Sequence, residues 1–335
     1  MSLLTVGSVA FDSIKTPFGK INKTLGGSAS YFSLAASYFT KPAMVAVVGD
    51  DFSKTDEKIF ANRKINTNGL QKAKGKTFAW GGEYSFDLNS RKTLFTHLNV
   101  FQNFRPRLSS EHQKSKYLFL GNIHPTLQLD VLRQAKGAKF VGLDTMNYWI
   151  ENAPKQLAKV LKLVNILIIN DSEARELAKE HNLMKAAKKI FAAMNPHPDP
   201  LPEGEGVKTL VIKRGEYGLL MLSPASERSV PIYGRPKDAD KSARYKYALR
   251  TFHLPGYPLE DVLDPTGAGD SFAGGFFGYL AKTNDASWAN LKKACVAGSA
   301  MASFCVEKLG VAKLLNLKAA HINQRLKEFK KLTHF

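Results

Sequence analysis

Two carboxylates on either side of a glycine-rich turn are the residues of this chain best suited to chemistry. Residues 264–270 read Asp-Pro-Thr-Gly-Ala-Gly-Asp, and an apolar stretch typical of a helix follows directly. Glycines allow a tight turn whose N–H groups point at one place, and a helix N-terminus adds positive potential there. An anion held by the amides of Gly267, Ala268 and Gly269, with Asp270 beside it as a base, suits phosphoryl transfer to a hydroxyl.

A second group of residues, near the N-terminus, could bind the molecule that carries the hydroxyl. Gly26 and Gly27 stand at the start of a predicted helix, and Asp12 lies just beyond the first predicted strand, residues 3–9. The glycines are either an ordinary tight turn or a place where backbone amides approach a polyhydroxylated ligand. A carboxylate that accepts hydrogen bonds from two vicinal hydroxyls is common in sugar recognition, so Asp12 favours the second interpretation.

The pattern of apolar runs predicts the elements that must position these residues. After residue 115 strands alternate with helices, and the predicted strands are 117–120, 139–143, 166–169, 209–212 and 218–222. Continuous apolar runs are typical of strands covered on both faces, and ligands bind at the carboxyl ends of such strands. Before residue 115, short alternating stretches at 77–80, 84–88 and 93–101 predict a meander of hairpins.

Two stretches are predicted to be loop insertions. Residues 195–206 contain too many prolines for a helix or a central strand. Residues 224–249 are polar and charged without clear periodicity, which is typical of a long loop.

Composition limits the classes of function. The chain has 48 basic and 29 acidic residues, a net charge of +19, which can indicate nucleic-acid binding. The basic residues are spread along the chain without interleaved aromatics, so a solvated surface with some attraction for nucleotides is favoured. No run approaches the ~18 apolar residues of a membrane span, and the N-terminus lacks a signal-peptide pattern. With only two cysteines in 335 residues, we expect a cytoplasmic protein.

The 264–270 segment resembles the signature of the ribokinase-like (PfkB) carbohydrate kinases, whose pattern is Asp-Thr-x-Gly-Ala-Gly-Asp. The chain departs from that pattern at Pro265, which has no backbone N–H. The resemblance implies an α/β fold, with a ribokinase-like three-layer α/β/α core and a small β-sheet lid, in one kinase domain over residues 1–335. The core would take residues 1–12, 25–75 and 105–335, and the lid residues 13–24 and 76–104.

The same resemblance implies a role for each candidate residue. The catalytic residues would be Asp270, Gly267, Ala268 and Gly269, and the sugar would be bound by Asp12, Gly26, Gly27 and Ser30. ATP would be bound by Asn170, Lys213, Gly215, Thr266, Gly267 and Gly269. Glu173 would organise Mg²⁺ from its outer shell, and Asp264 would contact a monovalent cation such as K⁺. Asn170 and Glu173 also fit an ordinary helix cap, and both interpretations stay open.

Another segment resembles a motif of fructokinase-like members only in part. Asp144 and Asn147 match its Asp-x-x-Asn portion, but Trp149 stands where those proteins have Arg. A role for Asp144 or Asn147 is left open.

The hypothesis is therefore ATP-dependent phosphorylation of a primary hydroxyl of a sugar or sugar derivative. Its cofactors would be ATP and Mg²⁺, with K⁺ as a further candidate. Its partner would be a small sugar, without nucleic acid or membrane, and two copies could pair through the lid. One alternative is a nucleoside kinase in which a lid aromatic, Phe78, Trp80, Tyr84 or Phe86, stacks on a base. A remote alternative is a non-catalytic nucleic-acid-binding protein on a kinase fold.

Overall fold

The computed structural model describes residues 2–194, 209–224 and 249–333, which form thirteen strands in two sheets. The strands are Leu3–Val6 (β1), Ala10–Thr16 (β2), Gly19–Gly26 (β3), Ala43–Val48 (β4), Asn66–Lys72 (β5), Phe78–Tyr84 (β6), Arg91–His97 (β7), Tyr117–Leu120 (β8), Phe140–Leu143 (β9), Ile166–Asn170 (β10), Thr209–Lys213 (β11), Leu219–Pro224 (β12) and Leu249–Leu254 (β13). The predicted insertion at 195–206 lies outside the described residues. So does the interior of the one at 224–249, whose end residues Pro224 and Leu249 pair between β12 and β13.

The larger sheet has nine strands in the order β13-β12-β11-β10-β9-β8-β1-β4-β5. Every pairing from β5 to β11 is parallel, and β12 runs antiparallel to both β11 and β13. The chain starts at β1, extends the sheet to β4 and β5 on one side, and then continues from β8 on the other. This reversal makes a topological switch point beside β1, where open α/β sheets bind ligands.

Helices cover both faces of the large sheet. They are Ser28–Ala36 (α1), Lys54–Asn62 (α2), Pro125–Gln134 (α3), Asn147–Asn152 (α4), Pro154–Leu161 (α5), Asp171–Ala178 (α6), Leu183–Met194 (α7), Ala268–Thr283 (α8), Trp288–Cys305 (α9), Ala312–Leu315 (α10) and Ala319–Leu332 (α11). Alternate strand residues point to opposite faces. Leu118 therefore belongs to the buried cluster that includes residues of α3 to α7, and Phe119 to the one that includes residues of α1, α8 and α9. The predicted three-layer arrangement is confirmed.

A second sheet of four strands, called the small sheet here, has the order β3-β2-β6-β7. It corresponds to the predicted lid. The pairing of β2 with β3 shifts register between Asp12 and Ile14, and such bulges often re-aim a side chain near a site. The small sheet contacts the core through β3 and α1 and through Tyr84 of β6.

Three strand predictions were wrong in their extent. The stretches predicted at 77–80 and 84–88 form one strand, Phe78–Tyr84, which passes through Gly81 and Gly82, and the turn follows it. The strand predicted at 3–9 ends at Val6, because Gly7 and Ser8 leave the sheet to hold the start of α1, where Ser8 N–H donates to Ser28 Oγ at 3.1 Å. Asp12 accordingly lies inside β2. The strand predicted at 93–101 ends at His97, since Asn99 adopts a positive φ of 49° and a 3₁₀ turn, Asn99–Asn103, follows.

No helix within the described residues has the length and apolar character to cross a lipid bilayer.

Phe277 is the centre of an aromatic cluster between α8 and the sheet, and we expect its removal to destabilise the fold. It is fully buried, with ring centroids of Phe119, Phe140 and Phe276 at 5.2, 5.8 and 5.7 Å. Phe277→Ala should lower the free energy of unfolding by about 3–5 kcal/mol in urea titrations, since it leaves a cavity. The matched Phe86→Ala, at a residue 80% exposed, should change it by less than ~0.5 kcal/mol. Equal effects of the two substitutions would contradict this packing.

Candidate active site

The predicted chemistry-bearing residues meet at the carboxyl edge of the large sheet. Asn170 and Lys213 are the last residues of β10 and β11, and Asp144 directly follows β9. Asp270 lies in the first turn of α8, which begins above these strands. The carboxyl groups of Asp144, Glu173 and Asp270 all raise the pKa of the Lys213 ammonium, which burial lowers. The strand topology therefore brings together residues that are far apart in sequence.

The turn at 264–270, called the glycine turn here, is fixed by its own backbone. Gly267 precedes α8 with φ 74°, and a Cβ at this residue would lie 2.3 Å from the Tyr31 ring. Ala268 N–H donates to Pro265 O at 3.2 Å, so this amide already has an acceptor within the turn. The anion site formed by Gly267, Ala268 and Gly269 stays a prediction. In such a site the Ala268 N–H would have to donate to the anion and to Pro265 O at the same time.

The Asp264 carboxylate links the glycine turn to Gly310 through hydrogen bonds to backbone N–H groups. It is fully buried; its Oδ1 accepts from Thr266 N–H at 2.8 Å and its Oδ2 accepts from Gly310 N–H at 2.7 Å. Burial raises the pKa of the Asp264 carboxyl, and these hydrogen bonds oppose the increase. Because two backbone donors already occupy its oxygens, monovalent-cation binding by Asp264 stays a prediction without support from this geometry.

Asp270 has the environment of a base that works near neutral pH. Its Oδ1 is buried and has no hydrogen-bond partner among the described residues. Burial, and next the Asp144 carboxylate, raise the pKa of Asp270 to about 7, while Lys213 and Arg91 lower it. A carboxylate with such a pKa can take a proton from a hydroxyl and release it again at physiological pH.

Asp12 and the two glycines form a second polar group facing Asp270 and Asp264. A Cβ on Gly26 would lie 2.0 Å from Asp12 Oδ2, so only glycine leaves room for this carboxylate. Gly27 has a φ of 90°, and its backbone N–H lowers the pKa of the Asp12 carboxyl. Burial raises the pKa of Asp12 to about 7, with smaller contributions from Asp264 and Asp270. Gly26 therefore leaves room for the Asp12 carboxylate, and sugar contact by Gly26 and Gly27 stays a prediction.

Ser30, the other predicted substrate residue, lies in the first turn of α1. It is fully buried, and its hydroxyl has no hydrogen-bond partner among the described residues. Nothing in its surroundings exposes the hydroxyl to a ligand, so substrate contact by Ser30 stays a prediction.

Asn170 and Glu173 form a reciprocal capping box at the start of α6. Asn170 Oδ1 accepts from Glu173 N–H, and Glu173 Oε2 accepts from Asn170 N–H, both at 2.8 Å. The capping interpretation of this motif is therefore correct. Burial, and next Asp144, raise the pKa of Glu173 to about 7. Glu173 Oε1 takes no part in the box, so this carboxyl could still bind a ligand.

Arg91 of β7 is a site residue that the sequence did not reveal. It lies opposite Tyr84 in the β6–β7 ladder and lowers the pKa values of Asp12, Glu173 and Asp270. Tyr84 Oη in turn hydrogen-bonds Thr266 Oγ1 of the glycine turn at 3.0 Å. Residues opposite each other in a hairpin share a face, so the exposed Arg91 lies on the same face as the buried Tyr84. Their pairing depends on the register of β6 and β7, which no local pattern in the sequence specifies.

The four lid aromatics differ in what they contact. Phe86 is 80% exposed. Phe78 stacks on Phe101 with ring centroids 5.4 Å apart, and the Tyr84 hydroxyl is hydrogen-bonded to Thr266. Trp80 lies directly opposite Asp12 in the β2–β6 pairing. The Arg91 guanidinium lies 5.1 Å from the centre of the Trp80 ring. Trp80 is therefore the lid aromatic placed beside the Asp12 carboxylate.

The far end of the small sheet reaches the loop after β11. Gly215, at φ 56°, starts a 3₁₀ turn, Gly215–Tyr217, and a Cβ there would lie 3.7 Å from Asn89 Oδ1. Asn89 belongs to the turn between β6 and β7. The small sheet thus spans from Asp12 on one side of the site to Gly215, a predicted ATP contact, on the other.

These residues fit a magnesium-bound nucleotide. The orphaned Asp270 Oδ1 and the Lys213 ammonium both lie at the glycine turn, where a phosphate would be held. Within residues 2–194, 209–224 and 249–333, no three His, Cys, Asp or Glu side chains converge on one metal position. Mg²⁺ commonly takes its ligands from phosphates and water, with few from protein. Glu173 would then act on Mg²⁺ through water.

The chain matches one protein-family model over most of its length. The model described as pfkB family carbohydrate kinase matches residues 3–317. Cytidine kinase of Thermococcus kodakarensis is 26% identical over 283 residues, which cover 82% of this chain and 87% of that protein.

Solved structures show the same fold. A nucleoside kinase of Methanocaldococcus jannaschii, described as an archaeal member of the ribokinase family, has a TM-score of 0.67 and 21% identity, covering 98% of this chain and 99% of that one. Ribokinase of Cryptococcus neoformans var. grubii serotype A, solved with ADP, has a TM-score of 0.67 and 19% identity, covering 97% and 99%. The predicted ribokinase-like α/β fold is confirmed.

The raised pKa of Asp270 predicts a stability cost that depends on pH. The folded protein holds the Asp270 pKa at about 7, above its ordinary 3.8. This group therefore favours folding below pH ~4, and the contribution is lost as pH rises through about 7. Asp270→Asn should raise the melting temperature of the ligand-free protein at pH 8 by about 2 °C or more, with no difference at pH 4.

Asp130→Asn is the control, because the Asp130 carboxylate, on the surface of α3, pairs with the exposed Arg133 of the same helix. It should change the melting temperature little at either pH. An Asp270→Asn variant that is less stable than the wild type at pH 8 would contradict the electrostatic description of the site.

Proposed function

Because the chain belongs to the pfkB family of carbohydrate kinases, we propose that this kinase transfers the γ-phosphoryl group of ATP to a primary hydroxyl of a nucleoside. The observation that carries the proposal is the buried, unpartnered Oδ1 of Asp270 at the start of α8. A buried carboxylate oxygen without a donor requires a partner, and the acceptor hydroxyl supplies it. The relatives named cytidine kinase and nucleoside kinase support the choice of acceptor.

Asp270 acts as the base in this scheme. As the acceptor oxygen bonds to the γ-phosphorus, the bond from phosphorus to the β,γ-bridging oxygen breaks and ADP leaves. The hydroxyl proton passes to Asp270, whose pKa of about 7 allows it to accept and later release that proton. In phosphoryl transfer, positioning and electrostatic stabilisation do most of the work, so the surrounding charges decide the rate.

The phosphate side of the site combines backbone donors with two cations. Gly267 and Gly269 offer amides at the helix N-terminus, where the helix dipole favours negative charge. Lys213 lies against Gly269, and Arg91 approaches from the small sheet. Bound Mg²⁺ would supply further neutralisation of the phosphate charge, with Glu173 acting through water.

The acceptor side favours a ribose that carries a base. Asp12, for which Gly26 leaves room, can accept hydrogen bonds from two ribose hydroxyls. Trp80 lies beside Asp12 on the face of the small sheet that also carries Tyr84 and Arg91. An aromatic ring at this place can stack on a nucleobase attached to the same ribose.

A free sugar is the second candidate acceptor, because Asp12, Gly26 and Gly27 would recognise ribose hydroxyls with or without a base. The similarity to ribokinase favours this candidate. Nucleic-acid binding on a kinase fold stays an untested alternative that rests on the charge of +19 alone.

An acceptor screen tests the proposed function. With ATP and Mg²⁺, with and without K⁺, the panel contains purine and pyrimidine ribonucleosides, free ribose, hexoses and sugar acids. We expect a ribonucleoside to exceed every free sugar in kcat/KM, and Asp270→Asn to lower kcat on that acceptor at least ~10²-fold. Preference for a free sugar selects the second candidate. Near-normal turnover by a folded Asp270→Asn variant would contradict the assignment of the base.

Trp80→Ala tests the position of the base. Loss of a stacking ring should raise the KM of the best nucleoside about tenfold, since stacking contributes ~1–3 kcal/mol per base. Weak turnover of free ribose should change less than about twofold. Phe95→Ala is the matched control, because the Phe95 ring covers Gly81 on the opposite face of the small sheet. Equal effects of Trp80→Ala on nucleoside and ribose would show that Trp80 supports the sheet and does not contact a base.

A further inference from the structure

The Lys213 side chain reaches from the end of β11 to the glycine turn. A Cβ built on Gly269 would lie 2.7 Å from Lys213 Nζ and 3.7 Å from its Cε. The ammonium therefore rests against the backbone of Gly269, one residue before Asp270. Its side chain is 20% exposed, so most of its surface is removed from water.

Asp144 is the carboxylate that faces this ammonium. Its Oδ1 lies 3.9 Å from Lys213 Nζ, which is an ion pair but too long for a hydrogen bond. Asp144 itself is firmly held, because its Oδ1 accepts from Thr145 N–H at 3.0 Å and its backbone N–H donates to Leu120 O at 3.0 Å. The buried Gln128 amide also donates to the Asp144 backbone carbonyl at 3.3 Å. The Asp144 carboxylate is thus held in place by its neighbours, whereas the longer Lys213 side chain has more rotatable bonds.

The ammonium keeps hydrogen-bonding capacity for a ligand. Within the described parts of the chain, no acceptor lies within hydrogen-bond distance of Lys213 Nζ, although Asp144, Glu173 and Asp270 all attract it. A buried cation with spare donors, next to backbone amides at a helix N-terminus, matches a phosphate oxygen in charge and geometry. Asp144 attracts the ammonium from 3.9 Å without accepting a hydrogen bond from it, and the ammonium lies against Gly269.

We propose that Asp144 is a positioning residue that holds the Lys213 ammonium over Gly269, where it contacts the γ-phosphoryl group during transfer. The proposal rests on the proposed function for the transfer step, but phosphate binding by Lys213 can be measured separately. Asp144 touches neither substrate nor reacting atom in this scheme. Its effect passes through Lys213, so the two residues act as one unit and their substitutions should not be additive.

A double-mutant cycle tests this dependence. Asp144→Asn should lower kcat about tenfold and Lys213→Met about 10²-fold, and the double variant should match Lys213→Met within about twofold. Asp130→Asn, which removes a surface carboxylate paired with Arg133, is the control and should keep wild-type kcat. A double variant about tenfold slower than Lys213→Met would overturn the proposal, because Asp144 would then act independently of Lys213.

Nucleotide affinity gives a readout that needs no turnover. Calorimetry compares a non-hydrolysable imido analogue of ATP with ADP, both with Mg²⁺. Asp144→Asn and Lys213→Met should each reduce the preference for the triphosphate, while Asp130→Asn leaves it unchanged. A purely structural ion pair predicts that the Asp144→Asn variant keeps the wild-type preference for the triphosphate. That result, in a folded variant, would contradict the proposal. The double variant, in which both members of the 3.9 Å ion pair are neutral, separates this result from the effect of leaving one member of that pair alone.

The pH profile of kcat/KM distinguishes the effect of the Asp144 carboxylate on Asp270 from that of the Lys213 ammonium. The groups that face Asp270 are Asp12 on β2, Arg91 on β7, Asp144 after β9, Glu173 on α6, Lys213 on β11 and Cys305 on α9. Asp144 raises the pKa of Asp270 and Lys213 lowers it. Asp144→Asn should therefore move the acid limb to lower pH, and Lys213→Met should move it to higher pH. Shifts in the same direction would overturn the proposed arrangement.

The outcomes also separate this proposal from the proposed function. A wild-type protein that phosphorylates no acceptor, yet prefers the triphosphate in a manner dependent on Asp144, would refute the nucleoside kinase assignment and support the Asp144–Lys213 unit. A wild-type protein that binds neither nucleotide would refute both.

Discussion

The crowding of buried acids at one sheet edge is the constraint on which the rest of the site depends. Asp144, Glu173 and Asp270 influence one another, Asp270 also influences Asp12 of the small sheet, and burial raises the pKa of each. Ionised carboxylates in such a place require cations, and the fold brings Lys213 from the sheet to meet them. Sheet topology imposes this crowding, because parallel strands end at the same edge and α8 begins there. A polyphosphate with Mg²⁺ would bring its own neutralising charge to this edge.

Several glycines of the site act by making room for a neighbour. Gly26 leaves space for the Asp12 carboxylate, Gly267 for the Tyr31 ring and Gly269 for the Lys213 ammonium. The three neighbours belong to three different elements, β2, α1 and β11. Each glycine therefore lies where one of these elements packs closely against a turn of the site. Flexibility of the backbone is needed at Gly267, whose φ is positive, but close approach is needed at all three.

The sequence predicted the fold and the members of the site better than their contacts. Continuous apolar runs indicated the parallel strands, and the 264–270 pattern indicated the family, because both signals are local. The capping box at Asn170 and the hydrogen bonds of Asp264 depend on the positions of backbone N–H donors, and a sequence motif does not specify those positions. Arg91 was missed because a strand residue joins a site only through its sheet register and through the docking of that sheet. Asp144 was left undecided for the same reason, since its ion pair with Lys213 joins distant segments.

Arg91 connects the small sheet to the charge of the site. It is carried by β7 and lowers the pKa values of Asp12, Glu173 and Asp270, which burial raises. The same strand therefore brings a cation to three buried acids at once, which offsets part of the cost of removing their charges from water. In the same ladder, the Tyr84 hydroxyl is hydrogen-bonded to Thr266 of the glycine turn. A movement of the small sheet away from the core would break that hydrogen bond and remove one cation from all three acids together.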